Sequence, residues 1–481
     1  MGVALVLIAL FFSYRLLEVP RGLTSDEAAF GYNAALLAET GKDQNGRFMP
    51  LFVLSVEGKD WRQPVTQYYM TAFFKVFGPS VFNLRFSSII ITLLSTVLLL
   101  VLASKLLGYK WAMFSAFVFL TTPLVMIQSH MGLDNIMPVP FTMLWLLGIF
   151  LFSKTGKRRY LVLAAISLGI NFYTYKAMRA AVPIWILLSV GYLFIYDYRD
   201  SWIKAFKKSY KDIFVFLISL LPFFAVIPLI QQKYPGAIFA GQRPSFDSVY
   251  SVLYPYFSSF DLTFTYITGD STMFHSTQMH GMMLLLSAPL FFTGLYYAIR
   301  NKGFWLFIVI CYFTAPLLFG LVGSSHRASR LMMMIPLYCL LATLGAKSLW
   351  ENRPKIYFRP TIVIISLLMI VNYADFVNYY WNTYPKITEN IFSDLGTYTS
   401  YEKLAKEARD RNLTPYIDED IYFGDGDSGH FFETIYFKTP ARRIQSNETL
   451  PPGSLLMTRR EIVPEATRLP AEIDHILQIR E

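Results

Sequence analysis

Long apolar blocks constrain this chain more than any other feature of its sequence. Each block is about 17 to 22 residues, enough for a helix to cross a hydrocarbon core of roughly 30 Å. Of the 481 residues, 54% are hydrophobic and only 16% are charged, whereas soluble domains carry about a quarter charged residues. The sequence therefore predicts an α-helical polytopic membrane protein. It excludes a disordered chain, a collagen-like fibre and a transmembrane barrel.

About eleven of these blocks are candidates for transmembrane helices. They cover residues 1–17, 81–103, 111–128, 136–153, 160–174, 181–196, 212–230, 281–299, 303–322, 331–346 and 361–380. Alternate connections between them are rich in Lys and Arg, and the positive-inside rule places these connections in the cytoplasm. An odd number of spans then places the C-terminal region outside. The first block has no small-residue cleavage pattern after it, so we expect an uncleaved anchor.

Two outer connections are longer than this topology needs. Residues 18–80 form the first outer loop, and they contain two amphipathic stretches typical of helices that lie along a membrane surface. Residues 231–280 form the second long outer loop. Long ordered loops are more often functional than decorative, so both loops are candidates for the site.

The C-terminal region differs in composition from the rest of the chain. From Pro385 onward there are 12 Lys+Arg and 17 Asp+Glu, so this region is acidic and the remainder is basic. The basic residues beside spans follow from membrane orientation and do not indicate a nucleic-acid partner. Helix and strand patterns alternate here, with one short strand predicted from Asp420 to Phe423. We expect a transmembrane domain over residues 1–384 and a small extracytoplasmic α/β domain over residues 385–481.

Two adjacent carboxylates, Asp26 and Glu27, follow the first predicted span on its outer side. A carboxylate in this place can act as a general base on an acceptor hydroxyl or hold a divalent cation. The same residues also fit an ordinary helix start, with Ser25 as the N-cap and both carboxylates complementing the helix dipole. The spacing alone leaves both interpretations open.

A second polar tract, from Ser129 to Asn135, contains His130 and Asp134 at the outer end of a predicted span. A carboxylate near the membrane interface is costly unless it is solvated or paired. We therefore expect Asp134 to face a polar cavity. An ordinary helix N-cap is the alternative for this residue.

A third tract places His326, Arg327 and Arg330 on the predicted outer side, where basic residues are otherwise sparse. Basic side chains three or four residues apart share one helix face and can hold a phosphate by charge-assisted hydrogen bonds. Arginines that extend toward the membrane interface are the alternative explanation. Arg62 and Arg179 are placed on the same side and are further candidates for substrate binding.

A fourth tract contains Asp270 and His275, with His280 shortly after. These residues make a His-carboxylate metal site conceivable, but their spacing matches no zinc signature, and solvated loop histidines are the favoured explanation. Cys311 and Cys339 lie inside apolar blocks, so neither a disulfide framework nor a cysteine metal site is indicated. The metal, if any, stays unassigned, and no cofactor is indicated with certainty.

The order and sidedness of these tracts resemble the GT-C polytopic glycosyltransferases that use lipid-phosphate sugars. The nearest resemblance is to the protein O-mannosyltransferase-like family 39 branch, with the related bacterial transferases of the aminoarabinose and rhizobial core-sugar type. The matching segments are Asp26-Glu27 for the acidic motif, Trp61-Arg62-Gln63-Pro64 through Gly78 for the basic-Pro segment, Ser129 to Asp134 for a Ser-Arg-x-x-x-Asp segment, and His326 to Arg330 for a His-Arg segment. The resemblance covers roughly the first 350 residues.

This resemblance implies an inverting transferase in the plasma membrane with its active site on the extracytoplasmic face. Its donor would be a polyprenyl-phosphate sugar, and its acceptor a hydroxyl of a glycan, a lipid or a protein. Asp26 would be the general base, while Arg62, His326, Arg327 or Arg330 would hold the phosphate. Two positions depart from the family: His130 replaces an Arg, and Trp61 stands where the aminoarabinose branch has a Glu, which leaves Asp60 or Glu57 as stand-ins for a second acid.

Two other classes of function compete with a transferase. A transporter or a flippase of lipid-linked glycans would show internal repeats and charged residues at mid-membrane, whereas the candidate charges here lie at the outer face. A soluble module that is merely anchored would not need so many spans. The sequence therefore favours the transferase.

Overall fold

The computed structural model describes residues 2–56, 58–196, 202–239, 248–322, 325–351, 355–389, 391–392, 395–437, 439–445, 448–458, 467–468 and 476–480. Helices α1 to α9 are Gly2–Ser13, Ser25–Thr40, Pro64–Phe77, Val81–Leu107, Tyr109–Leu120, Pro123–Ser129, Pro138–Thr155, Arg159–Asn171 and Met178–Tyr196. Helices α10 to α19 are Trp202–Phe224, Ile227–Lys233, Val249–Ser258, Ala288–Asn301, Gly303–Thr314, Ile335–Glu351, Lys355–Asn382, Tyr384–Ile387, Leu395–Asp410 and Glu419–Tyr436. Strands β1 to β7 are Val53–Ser55, Asp60–Arg62, Thr414–Asp418, Arg442–Ile444, Ser454–Thr458, Thr467–Arg468 and Ile476–Arg480.

All eleven predicted spans coincide with helices, but not all of these helices are long enough to cross a membrane. Within the described residues, six helices are long and apolar enough, or seven if the pair α5 and α6, bent by 65°, counts as one span. The six are Val81–Leu107, Asp134–Thr155, Met178–Ile195, Ser209–Lys233, Ala328–Glu351 and Arg359–Asn382. The chain is therefore a polytopic helical membrane protein, while the finer count of eleven remains a prediction.

Several predicted spans are too short to cross a membrane for a simple geometric reason. Helices α1 and α14 have 12 residues each and α8 has 13. At about 1.5 Å of rise per residue, such helices extend roughly 18 to 20 Å, less than a hydrocarbon core of about 30 Å. A run of apolar residues in the sequence does not show where a helix ends within it.

The chain divides into two compact units, and the first contains most of the apolar helices. It comprises residues 1–14, 88–130 and 134–380. Helices α13 and α15 pack closely in this unit because each presents a glycine. A Cβ at Gly294 would lie 1.8 Å from the carbonyl oxygen of Leu341, and one at Gly345 would lie 1.9 Å from that of Leu290. Only glycine fits at these two positions.

The second unit comprises residues 15–87, 131–133 and 381–481, so it contains both the first long loop and the C-terminal region. The two predicted amphipathic stretches form helices α2 and α3, and β1 and β2 form an antiparallel hairpin between them. The C-terminal strands form a mixed sheet in the order β4-β3-β5-β7-β6, in which β3 pairs in parallel with β4 and β5. The predicted domain boundary between residues 384 and 385 remains a prediction.

The C-terminal region has the predicted mixture of helices and strands, with one error. The strand predicted from Asp420 to Phe423 is helical, since these residues form the start of α19. The physical reason is a helix cap: the Asp418 side chain accepts a hydrogen bond from the backbone N–H of Asp420 at 3.1 Å. A preceding cap of this kind outweighs the preference of Ile421, Tyr422 and Phe423 for a strand.

Candidate active site

The tract Thr24 to Glu27 begins helix α2 with a capping box. Thr24, rather than the predicted Ser25, is the N-cap, because its side chain accepts a hydrogen bond from the backbone N–H of Glu27 at 3.1 Å. The carboxylate of Glu27 accepts in turn from the backbone N–H of Thr24, also at 3.1 Å. This reciprocal arrangement is the Ser/Thr-x-x-Glu box, here Thr24 to Glu27. The predicted helix start is thus confirmed, with its cap one residue earlier.

Glu27 is fully buried and forms an ion pair with an equally buried Arg85. The Arg85 Nε lies 3.1 Å from Glu27 Oε1, and its other nitrogens donate to the carbonyl oxygens of Leu16, Pro20 and Gly22. The backbone N–H of Gly132 donates to Glu27 Oε1 at 2.9 Å. The charges of both side chains are therefore compensated inside the protein, as buried charges require.

Asp26 has a different environment from its neighbour. Its side chain is 57% exposed, and Oδ1 lies 2.8 Å from Nη2 of Arg62, which is only 3% exposed. Arg62 is itself fixed in place, because Nε donates to Ser55 Oγ at 2.6 Å and the guanidinium lies over the ring of Phe30. Asp60 lies 3.5 Å from the same guanidinium, and Glu57 lies outside the described residues. The result is an accessible carboxylate at ion-pair distance from a fixed guanidinium.

Sequence reasoning did not single out Arg85. The signal was present, because Arg85 is a charged residue within the predicted span 81–103, and an ionisable residue in such a segment is a candidate for a paired or functional role. Its partner, Glu27, is 58 residues away in sequence. Spacing alone gives no way to connect the two residues.

In the first unit, Asp270 joins the third and fourth polar tracts. Its side chain is fully buried; Oδ2 accepts from the backbone N–H of Ala328 at 2.5 Å, and Oδ1 accepts from Thr272 at 2.8 Å. Arg327 lies 3.7 Å from this carboxylate, donates to Thr272 Oγ1 at 3.2 Å and is 41% exposed. Asp270 therefore fixes the segment that carries Arg327.

Arg330 and Asp134 belong to the same region. Burial raises the pKa of the Tyr175 hydroxyl, the charge of Arg330 lowers it, and the charges of Asp134 and Asp270 raise it. Nη1 of Arg330 is buried and has no hydrogen-bond partner among the residues that the structure describes. A buried guanidinium nitrogen without a partner is costly unless a ligand or water satisfies it. Asp134, Asp270 and Arg330 are thus near enough to Tyr175 to influence its pKa, and Arg327 lies beside Asp270.

His326 lies at the edge of this region and pairs with Asp261, a residue that sequence reasoning did not single out. The ring Nε2 is 3.1 Å from Asp261 Oδ2. Burial raises the pKa of the Asp261 carboxyl, but hydrogen bonds from Thr263, His326 and Phe264 lower it overall. A pocket of about 390 Å³ opens beside the pair, lined by Thr263, Phe264, Thr268 and other residues of the same loop.

Three further predicted site residues, His130, His275 and Arg179, also belong to the first unit. His130 is fully buried, with Nε2 2.6 Å from the carbonyl oxygen of Phe12 and its ring 5.5 Å from that of Tyr380. The ring of His275 lies 3.0 Å from the side-chain amide of Gln128. Arg179 donates to the carbonyl oxygen of Ile238 at 3.1 Å.

Metal binding was left open by the sequence. In the part of the chain that the structure describes, no group of three or more His, Cys, Asp or Glu side chains is arranged to hold a metal ion. Both cysteines are buried and free.

Part of the chain matches the model of a known family. Residues 62–226 match the model of the family described as dolichyl-phosphate-mannose-protein mannosyltransferase. No curated protein matches the chain. The matched segment begins at Arg62 and contains His130, Asp134 and Arg179, so it includes several of the residues on which the resemblance was based.

Solved structures show the same fold at low sequence identity. ArnT from Cupriavidus metallidurans in the apo state is 13% identical, with a TM-score of 0.57 over 99% of this chain and 97% of that chain. ArnT bound to undecaprenyl phosphate gives 12% identity and the same TM-score and coverage. The archaeal oligosaccharyltransferase AglB from Archaeoglobus fulgidus, in complex with an inhibitory peptide and a dolichol-phosphate, is 12% identical, with a TM-score of 0.52 over 90% of this chain and 63% of that chain.

The family match and the ArnT-like fold confirm the resemblance drawn from the sequence. They favour a transferase over a transporter or an anchored module. With residues 62–226 similar to this family of lipid-phosphate sugar transferases and an ArnT-like fold over the whole chain, the protein is a membrane glycosyltransferase that uses a lipid-phosphate sugar donor.

Proposed function

We propose that the protein transfers a sugar from a polyprenyl phosphate to an acceptor hydroxyl on the extracytoplasmic face of the plasma membrane, with inversion of configuration. The acceptor oxygen attacks the anomeric carbon and gives its proton to Asp26. The bond between the anomeric carbon and the phosphate oxygen breaks, and its electron pair stays on the lipid phosphate. A single attack from the opposite face inverts the configuration.

The observation that carries this proposal is the contrast between Asp26 and Glu27. A general base must reach its substrate, and only Asp26 has an exposed carboxylate. Arg62 is fixed by Ser55 and Phe30 and lies 2.8 Å from that carboxylate, so the base has a fixed cation beside it, as positioning requires. Glu27 is buried, paired and capped, so we assign to it the structural role of fixing the first turn of α2.

Arg327 and Arg330 are the groups that we propose for the lipid phosphate. Arg327 is accessible, and Arg330 has a buried nitrogen without a partner among the described residues. Negative charge develops on the phosphate as it leaves, so fixed cations at this place lower the barrier. The charge of Arg62 is already balanced by the carboxylates of Asp26 and Asp60, which makes Arg62 a less suitable phosphate ligand. ArnT bound to undecaprenyl phosphate and AglB bound to a dolichol-phosphate support a carrier lipid of this class.

Mass spectrometry of lipid-linked sugars and surface glycans tests the proposed function directly. In cells without the gene, we expect a polyprenyl-phosphate sugar to accumulate and one sugar to be missing from an envelope glycan, glycolipid or glycoprotein. The missing sugar and its acceptor would be identified in the same experiment. Identical lipid and glycan profiles with and without the gene would contradict the proposal.

Replacing Arg327 or Arg330 with Ala is expected to weaken use of the donor. Each variant should lose ~1.5 to 3 kcal/mol of transition-state stabilisation, measured from kcat/KM, since a charge-assisted hydrogen bond is removed and not replaced. Arg→Lys should restore activity only in part, because the planar fork of donors is lost.

The control is Arg300→Ala, which removes an exposed arginine that donates to Tyr296 in the same helix. Steady-state transfer kinetics on the purified variants measure the effect. If both Ala variants turn over like Arg300→Ala, the two arginines merely extend toward the interface.

Cysteine labelling tests the predicted sides of the membrane. Position 157 lies in an exposed connection that should be cytoplasmic, whereas position 402, in the C-terminal region, should be outside. In intact cells a membrane-impermeant reagent should therefore label Glu402→Cys and not Lys157→Cys. The native cysteines are both buried and need not be removed. Labelling at position 157 from outside would overturn the topology.

A further inference from the structure

The second half of helix α19 packs against the first long loop within the second unit. The helix changes direction at Gly426, where φ is 53° and ψ is −136°. Glycine is the residue that adopts this conformation readily. Beyond the kink, Asp427, His430 and Phe431 all contact residues of the loop that carries Asp26.

Asp427 holds the end of the β1–β2 hairpin. Its Oδ2 accepts a hydrogen bond from the backbone N–H of Val56 at 2.7 Å. Val56 follows β1 directly and has a positive φ of 51°, a conformation that a β-branched residue rarely adopts without support. A hydrogen bond to a charged acceptor is among the stronger ones in proteins. The carboxylate therefore fixes the turn of the hairpin.

Phe431 contacts both helices of the loop, α2 and α3. A Cβ at Gly31 in α2 would lie 2.7 Å from the edge of the Phe431 ring, so the helix backbone rests directly on the ring. The same ring stacks on Phe74 of α3, with centroids 6.3 Å apart and planes at 2°. Phe431 is fully buried. One side chain thus sets the position of α2 relative to α3.

The ring of His430 packs between two tyrosine rings in the same region. Its ring lies 5.3 Å from that of Tyr32 in α2 and 4.4 Å from that of Tyr422 in α19. Burial lowers the pKa of His430, which outweighs the nearby carboxylates of Asp427 and Glu433. Burial thus favours the neutral form of the ring, which suits its place between two tyrosines.

These contacts converge on the ion pair between Asp26 and Arg62. Arg62 belongs to the hairpin, where it pairs with Val53 and donates to Ser55, the residue before Val56. Asp26 belongs to α2, five residues before the contact of Gly31 with Phe431. Asp427 fixes one partner of the ion pair, and Phe431 fixes the other.

We propose that the C-terminal region positions the catalytic base, with Asp427 and Phe431 as the residues that keep Arg62 and Asp26 at ion-pair distance. This inference rests on the proposed function of Asp26. It gives the C-terminal region a role in the transfer step itself and not in substrate recognition. A displaced base lowers kcat, because errors of about 1 Å at the reacting atoms cost up to ~100-fold in rate.

The test compares Asp427→Ala with Asp427→Asn, which keeps an oxygen that can accept from Val56. Asp427→Ala should lower kcat by about 10-fold and leave the KM for a polyprenyl-phosphate sugar within twofold. Asp427→Asn should restore most of kcat. Glu402→Ala, which removes an exposed carboxylate of α18, is the matched control and should behave as wild type. A kcat for Asp427→Ala within twofold of that control would overturn the inference.

A double variant separates positioning from general loss of structure. In the Asp26→Asn background, Asp427→Ala should cause no further loss of kcat, because it acts through a base that is already absent. A multiplied loss would overturn the inference in favour of a structural role. Should Asp427→Ala fail to fold, the same comparison is made with Phe431→Leu, which stays apolar. Full activity of Asp26→Asn alone would instead refute the general-base assignment, so the two failures are distinguishable.

Discussion

Replacing Asp26 with Asn is expected to lower the transfer rate by ~100-fold or more while the protein remains folded. The carboxylate is 57% exposed, so its removal does not open a cavity. The Asn side chain keeps an oxygen that can accept a hydrogen bond from Arg62, and the cap of α2 is supplied by Thr24 and Glu27, not by Asp26. The substitution therefore removes the base and little else.

Purified wild-type and variant proteins should be compared in transfer from a polyprenyl-phosphate sugar, together with their thermal unfolding midpoints. Glu39→Gln is the matched control, since it removes an exposed carboxylate from the other end of the same helix. We expect the control to keep normal activity. If Asp26→Asn retains more than about half of the wild-type rate, the general-base assignment is wrong.

The sequence predicted the membrane fold well because its signal is local. A block of apolar residues is recognised within a window of about 20 residues, and the helix positions followed from it. The breaks within spans were not recognised, because the bend between α5 and α6 lies at Thr121 and Thr122, two residues that do not interrupt an apolar pattern strongly. The start of α19 was missed for a similar reason, since its N-cap is the single side chain of Asp418.

The site was predicted in part, and the limits were set by distance along the chain. The tract containing Asp26 and Glu27 could be found from sequence, but their separation into an exposed and a buried carboxylate depends on Arg85, more than 50 positions away. Likewise, Asp261 and His326 are 65 residues apart, and Asp427 is 371 residues from Val56. Pairings over such distances are decided by tertiary packing, which no single spacing in the sequence encodes.

Removing either partner of the Glu27–Arg85 pair is expected to destabilise the protein by ~3 to 5 kcal/mol, because the other charge stays buried without compensation. Arg85→Met should have the larger effect, since the carbonyl oxygens of Leu16, Pro20 and Gly22 also lose their donor. Glu27→Gln additionally weakens the capping box of α2. Thermal unfolding and the yield of folded protein measure these losses.

The double variant Glu27→Gln with Arg85→Met decides whether a buried charge is the cause. If it is, the double variant should be less destabilised than the sum of the two single variants by at least ~1 kcal/mol, since no unpaired charge remains. The control is Arg158→Ala, which breaks an exposed pair with Asp212 and should cost only ~0 to 1 kcal/mol. Single variants as stable as this control would mean that Glu27 is not held as a structural ion. Its catalytic role beside Asp26 would then have to be tested in the same transfer assay.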